Sequence, residues 1–197
     1  MGKTYEHIDG RLRAFIEAQP VFFTATAPLS GDGHVNLSPK GRQGTLVVLD
    51  ELTVAYVDFG GSGAETIAHL REPGNGRITL MWTAFSGPPT VVRVHGQGEA
   101  VLRDDPRWAE LFARFPAEAV EGQGSARAII LVHARRVSDA CGFAVPLMEY
   151  QEDRRLHAEY FNRKTDDEFN AYCEAKVATS LDGLPALPLP LPPLPAG

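Results

Sequence analysis

The sequence predicts a mainly β protein with short helices, arranged as an antiparallel barrel. Six or seven short segments rich in apolar and β-branched residues follow one another closely, with only short helical patterns between them. The longest segment, residues 90–102, alternates in hydrophobicity and contains Gly96 and Gly98, which predict a bulge or a barrel bend. This succession favours a barrel over strands joined by crossover helices.

The first half of the chain supplies a short helix and five strands. Asp9 predicts an N-cap, Leu12 and Ile16 recur at helical spacing, and Pro20 ends the helix. Apolar and β-branched runs separated by turns mark the strands. The predicted strands cover residues 21–27, 35–38, 46–49, 53–57 and 77–81.

The second half adds the long strand, one more strand and three helices. Residues 104–115 predict a helix with Trp108 on its apolar stripe, and residues 128–140 predict a strand. Two helical segments lie at about 153–177, and Thr165 or Asp166 caps the second. We therefore expect one domain over residues 1–184, with the C-terminal helices at its periphery.

A proline-rich tail follows at residues 185–197. Six prolines fall between Pro185 and Pro195, which predicts an extended or disordered, solvated end. The tail could also bind weakly to a partner protein that recognises proline-rich segments.

Composition limits the classes of partner. The net charge is −6, with 25 acidic against 19 basic residues, so a nucleic-acid surface is not expected. No run of about 18 apolar residues occurs, so no membrane span is expected. The two cysteines show no metal-type pairing, the six histidines are scattered, and no catalytic serine motif is present. We expect a cytoplasmic protein without a metal site, and no catalytic residue can be named.

A glycine-rich turn lies between the strand at residues 53–57 and a short helix that begins near Ala64. Ser62 is a natural N-cap, and Glu65 stands three residues later, at the capping-box spacing. The unpaired N–H groups at such a junction can bind an anion, and glycines allow it to approach closely. The same residues are equally typical of a capped helix that binds nothing.

Four motifs in this order resemble those of the pyridoxamine 5'-phosphate oxidase-related proteins, in particular an uncharacterised branch of that family. They are Asn36-Leu-Ser-Pro-Lys-Gly41, Val54-Ala-Tyr-Val-Asp58, Gly61-Ser-Gly-Ala-Glu-Thr66 and Arg77-Ile-Thr-Leu-Met81, and the likeness continues to Pro185. The resemblance implies an antiparallel split β-barrel that binds flavin mononucleotide (FMN) at the interface of a homodimer. It also implies a flavin-dependent oxidoreductase with a small-molecule substrate.

The resemblance places the cofactor site on three short stretches of the chain. Lys40, Ser62 and Thr66, with the backbone of the glycine-rich turn and a charge from Arg42 or Arg77, would hold the phosphate. The flavin ring would lie against strand residues around Asn36–Pro39 and Tyr56–Asp58. The predicted cofactor-binding residues are Ser38, Pro39, Lys40, Gly41, Val57, Asp58, Ser62, Gly63, Ala64, Glu65 and Thr66.

The chain departs from the vitamin B6 oxidases at several matching positions. Val35 stands where they have an arginine, Ser62 and Gly63 where they have an Arg-Lys pair on the phosphate, and about Val91 where they have a glutamine. The leucine-proline tail replaces their substrate-binding Arg-Leu-x-Pro ending. Each lost charge-assisted hydrogen bond costs about 1.5–3 kcal/mol, so flavin affinity should be lower, and pyridoxamine 5'-phosphate is not the expected substrate.

Two alternatives remain open on the sequence. A deazaflavin (F420)-dependent reductase on the same barrel would need extra basic residues for a longer acidic cofactor tail. A non-enzymatic flavin or haem carrier, or an interaction module, would need for haem an axial ligand from His69, His95 or His133.

Overall fold

A computed structural model describes residues 2–120 and 124–194. In them, eight strands form one antiparallel sheet with the order β3-β2-β6-β7-β8-β5-β4, and β1 pairs with β8. The strands are β1 Thr4–Tyr5, β2 Val21–Thr26, β3 Asn36–Gly41, β4 Leu46–Asp50, β5 Thr53–Phe59, β6 Arg77–Thr83, β7 Thr90–Leu102 and β8 Ala126–Cys141. The sheet curls into a split barrel, which confirms the predicted fold class.

Six short helices accompany the sheet in the same described residues. They are α1 Gly10–Ala18, α2 Glu65–Arg71, α3 Trp108–Phe112, α4 Ala117–Val120, α5 Leu156–Phe161 and α6 Asp166–Val177. None of them combines the length and the apolar composition that crossing a bilayer requires.

The centre of the sheet is apolar on both faces. Along β5, Val54 and Tyr56 pack in one hydrophobic cluster with residues of α1, α2 and α6. The alternate residues Ala55 and Val57 pack in a second cluster with residues of α3 and α4. Because successive side chains of a strand point to opposite faces, a strand covered on both sides becomes apolar throughout. This explains the apolar runs Val54–Val57 in β5 and Ala128–Val132 in β8.

The long strand has the predicted bounds and the predicted irregularity. The register between β7 and β8 shifts between His95 and Gly96. A side chain at Gly96 would place its Cβ 2.3 Å from the carbonyl oxygen of His133, so only glycine allows this close approach of the two strands.

Two predicted helix caps are confirmed and one is wrong. Asp9 caps α1, and Thr165 forms a capping box with Glu168 at α6. Ser62 does not cap α2, which has Ala64 at its N-cap and no side-chain cap. The Glu65 carboxylate instead accepts from the backbone N–H of Leu181, at 3.0 Å, in a turn near the C-terminus.

The helix predicted at residues 104–115 is shorter and divided. Around Asp105 the backbone forms turns, in which the N–H groups of Arg107 and Trp108 donate to Asp105. The helix α3 therefore covers only Trp108–Phe112, and Pro116 separates it from α4. Proline lacks an N–H and therefore interrupts a helix.

Residues 185–194 form no helix and no named strand, and the expectation of a solvated end is wrong for them. Ala186, Leu187 and Leu191 are buried in the main core cluster. The Asn170 side chain donates to the carbonyl oxygen of Leu191 at 3.2 Å and accepts from the Leu191 N–H at 2.6 Å. The Arg103 guanidinium donates to the carbonyl of Pro192 at 2.9 Å. The last three residues lie outside the described part of the chain, and a partner for the tail stays a prediction.

Candidate functional site

A cavity of about 760 Å³ opens where β3, at one end of the strand order, faces the end of β5 and the loop to α2. All eleven predicted cofactor-binding residues line it, together with Arg42. Its volume falls within the range of roughly 300–1,000 Å³ that is common for ligand and cofactor sites. The structure thus brings the three predicted stretches to one place.

The charged side of the cavity is organised by the buried carboxylate of Asp58. Lys40 Nζ lies 2.5 Å from Asp58 Oδ1, and Arg127 Nε lies 2.8 Å from Oδ2. Burial alone would raise the pKa of Asp58, but the charges of Lys40 and Arg127, with their hydrogen bonds, outweigh it and hold the pKa at about 2. Asp58 is therefore ionised at neutral pH and links β3, β5 and β8 across the opening of the barrel.

Arg127 is the residue that the sequence prediction missed. Its side chain is only 3% exposed, and its Nη2 donates to the carbonyl oxygen of Gly63 at 2.6 Å. Its Nη1 is buried, has no partner in the described residues, and belongs to a side chain that lines the cavity. Arg127 therefore brings a cation to the glycine-rich loop, where Ser62 and Gly63 replace the Arg-Lys pair expected from the resemblance.

Uncharged polar side chains form the opposite side of the cavity. Ser38 Oγ donates to Asn36 Oδ1 at 2.7 Å, and Asn36 Nδ2 donates to Thr26 Oγ1 at 3.1 Å and to Thr66 Oγ1 at 3.0 Å. Thr26 Oγ1 in turn lies 2.9 Å from Nδ1 of His69, which is fully buried. The cavity surface at Ser38 and Thr66 is therefore connected to the core through side-chain hydrogen bonds.

The third side comes from the C-terminal part of the chain, which the site prediction also missed. Glu152, Asp153, Arg154 and His157 line the cavity. His157 Nε2–H donates to the carbonyl of Gly60 at 2.6 Å, and a Cβ at Gly60 would lie 2.8 Å from Phe169 and 2.9 Å from Phe161. Gly60 thus allows the aromatic C-terminal helices to pack directly on the glycine-rich loop.

Some candidates raised by the sequence lie elsewhere. Arg77 donates to the carbonyl of Pro28 and does not line the cavity. The three candidate haem ligands, His69, His95 and His133, do not line it either. Within residues 2–120 and 124–194, no three His, Cys, Asp or Glu side chains come together in a way that would hold a metal ion.

The fold and the cavity define a split-barrel protein with a cofactor-sized site, and comparison with solved structures agrees on the fold. HupZ of Group A Streptococcus superposes with a TM-score of 0.50 at 18% identity, covering 66% of this chain and 91% of that one. A FAD-binding protein of Mesorhizobium loti gives a TM-score of 0.49 at 15% identity, covering 71% of this chain and 95% of that one. The likeness to HupZ shows the fold.

Sequence comparison shows the family. Residues 8–141 match the family model described as pyridoxamine 5'-phosphate oxidase. The pyridoxamine 5'-phosphate oxidase family protein ustO of Aspergillus flavus is 37% identical over 200 residues, which span 93% of this chain and 77% of ustO. The chain belongs to the pyridoxamine 5'-phosphate oxidase family, as its motifs predicted.

Proposed function

We propose that this protein binds FMN in the cavity and acts as a flavin-dependent oxidoreductase on a small organic substrate other than pyridoxamine 5'-phosphate. The observation that carries the proposal is the buried, unpartnered Nη1 of Arg127 beside the glycine-rich loop. A buried donor without a partner costs about 1–3 kcal/mol, and an anion bound there removes that cost. The missing substrate-binding arginines argue against the vitamin B6 substrate.

The phosphate of FMN would lie at the glycine-rich loop. It carries about two negative charges near neutral pH and needs N–H donors and cations. Arg127 and Lys40 provide the cations, while Ser62, the backbone of residues 63–65 and Thr66 provide the donors. Arg42, whose Nη1 is also buried without a partner in the described residues, adds a third cation to the lining.

The flavin ring would lie against β3 and β5. Ser38, Pro39 and Gly41 come from β3, and Val57 and Asp58 come from β5. When bound, a flavin carries out hydride or electron transfer, and the protein binds it, orients it and tunes its electrostatics. The chain supplies an apolar strand surface, a set of hydroxyl and amide groups, and a fixed negative charge at Asp58.

A homodimer is part of the proposal. Leu37 of the edge strand β3 is 66% exposed, and Val35, just before that strand, is 74% exposed. Exposed apolar side chains beside a site are typical of an interface. Trp82 and Trp108 are buried in the core, so these large aromatic side chains are not exposed for such a contact. Cytoplasmic location also remains a proposal, and both Cys141 and Cys173 are free thiols.

A flavin titration of the purified protein tests the proposal. We expect binding of about one FMN per chain, seen in the absorption spectrum and retained after desalting. Lys40→Ala should weaken binding tenfold or more, because a charge-assisted contact is worth about 1.5–3 kcal/mol. Asp58 keeps its contact with Arg127 in this variant, so the fold should survive.

Lys176→Ala is the matched control, since Lys176 is an exposed lysine of α6 and does not line the cavity. It should leave the FMN affinity unchanged. A protein that binds no FMN would contradict the proposal, and binding that Lys40→Ala does not weaken would remove Lys40 from the phosphate site. A flavin that stays bound but cannot be reduced by any electron donor would favour a carrier.

The arginines of the lining suggest a second candidate cofactor. Arg42, Arg127 and Arg154 line the cavity with Lys40, although the lining also contains four carboxylates, those of Asp58, Glu65, Glu152 and Asp153. A deazaflavin with an acidic tail needs basic residues, so F420 belongs in the same titration. Tighter binding of F420 than of FMN would assign the protein to the deazaflavin-dependent reductases.

A further inference from the structure

The uncharged side of the cavity contains a hydrogen-bond chain that runs from Ser38 through Asn36 and Thr26 to His69. Three of its four members are at least nine-tenths buried: Asn36 is 9%, Thr26 4% and His69 0% exposed. Ser38 and Asn36 line the cavity, whereas His69 does not. The chain therefore joins a ligand-accessible hydroxyl to a titratable group in the core.

The hydrogen bonds of this chain can all run in one direction. Ser38 donates to the Asn36 carbonyl, and the Asn36 amide group donates to Thr26 and Thr66. Thr26 Oγ1 accepts from Asn36 and can either donate to or accept from His69 Nδ1, 2.9 Å away. All bonds run the same way when Thr26 donates to Nδ1 and the ring proton of His69 is on Nε2.

The same atoms also permit the reverse direction. If His69 carries its proton on Nδ1, it donates to Thr26, and Thr26 and Thr66 then donate to the Asn36 carbonyl. The Asn36 amide group turns toward Ser38, whose hydrogen becomes free to donate into the cavity. Hydroxyl groups both donate and accept, so the whole chain can reverse without losing a bond.

We propose that this chain is a polarity switch, in which the proton position on His69 decides whether Ser38 accepts or donates a hydrogen bond in the cavity. In the forward state Ser38 accepts and Thr66 has a free hydrogen to donate. In the reversed state the two hydroxyls exchange these roles. His69, Thr26 and Asn36 are thus positioning residues that select ligands by their hydrogen-bond pattern.

The forward state fits the cofactor of the proposed function, on which this consequence rests. Oxidised flavin has one ring N–H, at N3, and its phosphate oxygens accept hydrogen bonds. Ser38 as acceptor and Thr66 as donor match these two groups. FMN should therefore favour the forward state, and by reciprocity the forward state should favour FMN.

His69 has no second partner that would fix its proton independently. Its Nε2 is buried and unpartnered in the described residues, so either tautomer leaves one Nε2 group unsatisfied. Burial lowers the pKa of His69, and the positive charge of Arg77 lowers it further. The negative charges of Glu65, Asp182 and Glu72 act in the opposite direction. The ring is neutral near pH 7, which leaves the tautomer to be chosen by the chain.

The decisive experiment reads the tautomer of His69 by 15N NMR of histidine-labelled full-length protein, without any ligand. The His69→Gln variant identifies the resonance. Wild type should show an unprotonated Nδ1 and a protonated Nε2. In Ser38→Asp the introduced carboxylate can only accept hydrogen bonds, so the Asn36 amide group must turn toward it. The direction of the chain then reverses, and Nδ1 of His69 should become protonated.

Ser62→Asp is the matched control. It adds the same charge to an exposed serine of the same cavity, but Ser62 is not part of the chain. Its His69 tautomer should equal that of wild type. Asn36→Asp, which accepts from Thr26 directly, provides a second variant with the same expected reversal if Ser38→Asp fails to fold.

A His69 tautomer that is the same in wild type, Ser38→Asp and Asn36→Asp would overturn the switch. A tautomer that changes equally in Ser62→Asp would also overturn it, because the effect would then be one of charge alone. These readings need no flavin, so they stand even if the protein binds none. With FMN added, reversal by Ser38→Asp should accompany at least a tenfold loss of affinity.

Discussion

The charged and uncharged sides of the cavity lie on the barrel and form one wall, and the C-terminal side forms a second wall that is built in a different way. The barrel wall consists of β3, β5 and β8, whose backbones are joined in the sheet and whose charges meet at Asp58. The C-terminal wall begins with residues 142–155, which form no helix or strand, and continues into the six-residue α5. The comparison teaches that one wall is preformed by buried ion pairs, whereas the other rests on aromatic packing against Gly60.

The boundary between the walls coincides with the end of the family match. Residues 8–141 match the family model, and they contain the whole barrel wall. The C-terminal wall lies beyond residue 141 and includes exposed apolar side chains, of which Phe143 is 83% and Leu147 80% exposed. We therefore expect the barrel wall to respond to substitutions as part of the fold, and the C-terminal wall to respond as a separable element.

Breaking the barrel wall should have the largest effect. Asp58→Ala leaves Lys40 and Arg127 without their shared carboxylate, and removing one partner of a buried ion pair costs about 3–5 kcal/mol. The midpoint of urea unfolding should fall accordingly. Asp105→Ala, which breaks the exposed pair with Arg107, should cost about 1 kcal/mol or less. Equal losses in the two variants would contradict the structural role of the buried cluster.

Acid should weaken the barrel wall by a smaller amount. The neighbouring cations hold the pKa of Asp58 at about 2, below its ordinary value of 3.8. A lowered carboxyl pKa stabilises the fold above the unfolded pKa and loses that stabilisation as the pH falls through the folded pKa. Between about pH 4 and pH 2, wild type should therefore lose about 2 kcal/mol more than Asp58→Asn does. Parallel pH profiles of unfolding free energy would contradict this.

The two walls also differ in how far the sequence reveals them. The motifs of β3, β5 and the glycine-rich loop predict their part of the barrel wall, because they resemble those of the pyridoxamine 5'-phosphate oxidase family. For Arg127 the sequence contains a weaker signal: an arginine within the apolar run Ala126–Leu131 is buried only if it is paired. The sequence contains no such signal for His157, because its hydrogen-bond partner Gly60 lies 97 residues away in the chain. The docking of the tail likewise depends on Asn170 and Arg103, which composition does not indicate.

Gly60→Ala should test the contact between the walls. Its Cβ would lie 2.8 Å from Phe169 and 2.9 Å from Phe161, so the aromatic helices must move. Such overpacking costs about 1–3 kcal/mol. Gly63→Ala is the matched control, because no atom lies within 4 Å of the added Cβ, and its unfolding free energy should change by about 0.5 kcal/mol or less. Similar losses at both glycines would mean that the loop, not the packing, determines the effect.

His157→Ala should have the smallest effect on stability and should separate the walls most clearly. It removes one hydrogen bond to the Gly60 carbonyl, worth about 0.5–1.5 kcal/mol, and a ring contact with Phe161. Loss of this anchor should raise the rate at which a protease cuts native protein within residues 142–155, because irregular segments with few buried contacts open first. His157→Gln keeps a side-chain donor and should restore part of the protection.

The same variant decides whether the C-terminal wall contributes to cofactor affinity. If the barrel wall alone holds the flavin, FMN affinity should stay within about threefold of wild type, a difference of roughly 0.7 kcal/mol. A tenfold loss in His157→Ala, with stability reduced by only about 1 kcal/mol, would show that the walls act together on the ligand. The C-terminal wall would then be part of the cofactor site, and the family core up to residue 141 would not by itself form a complete one.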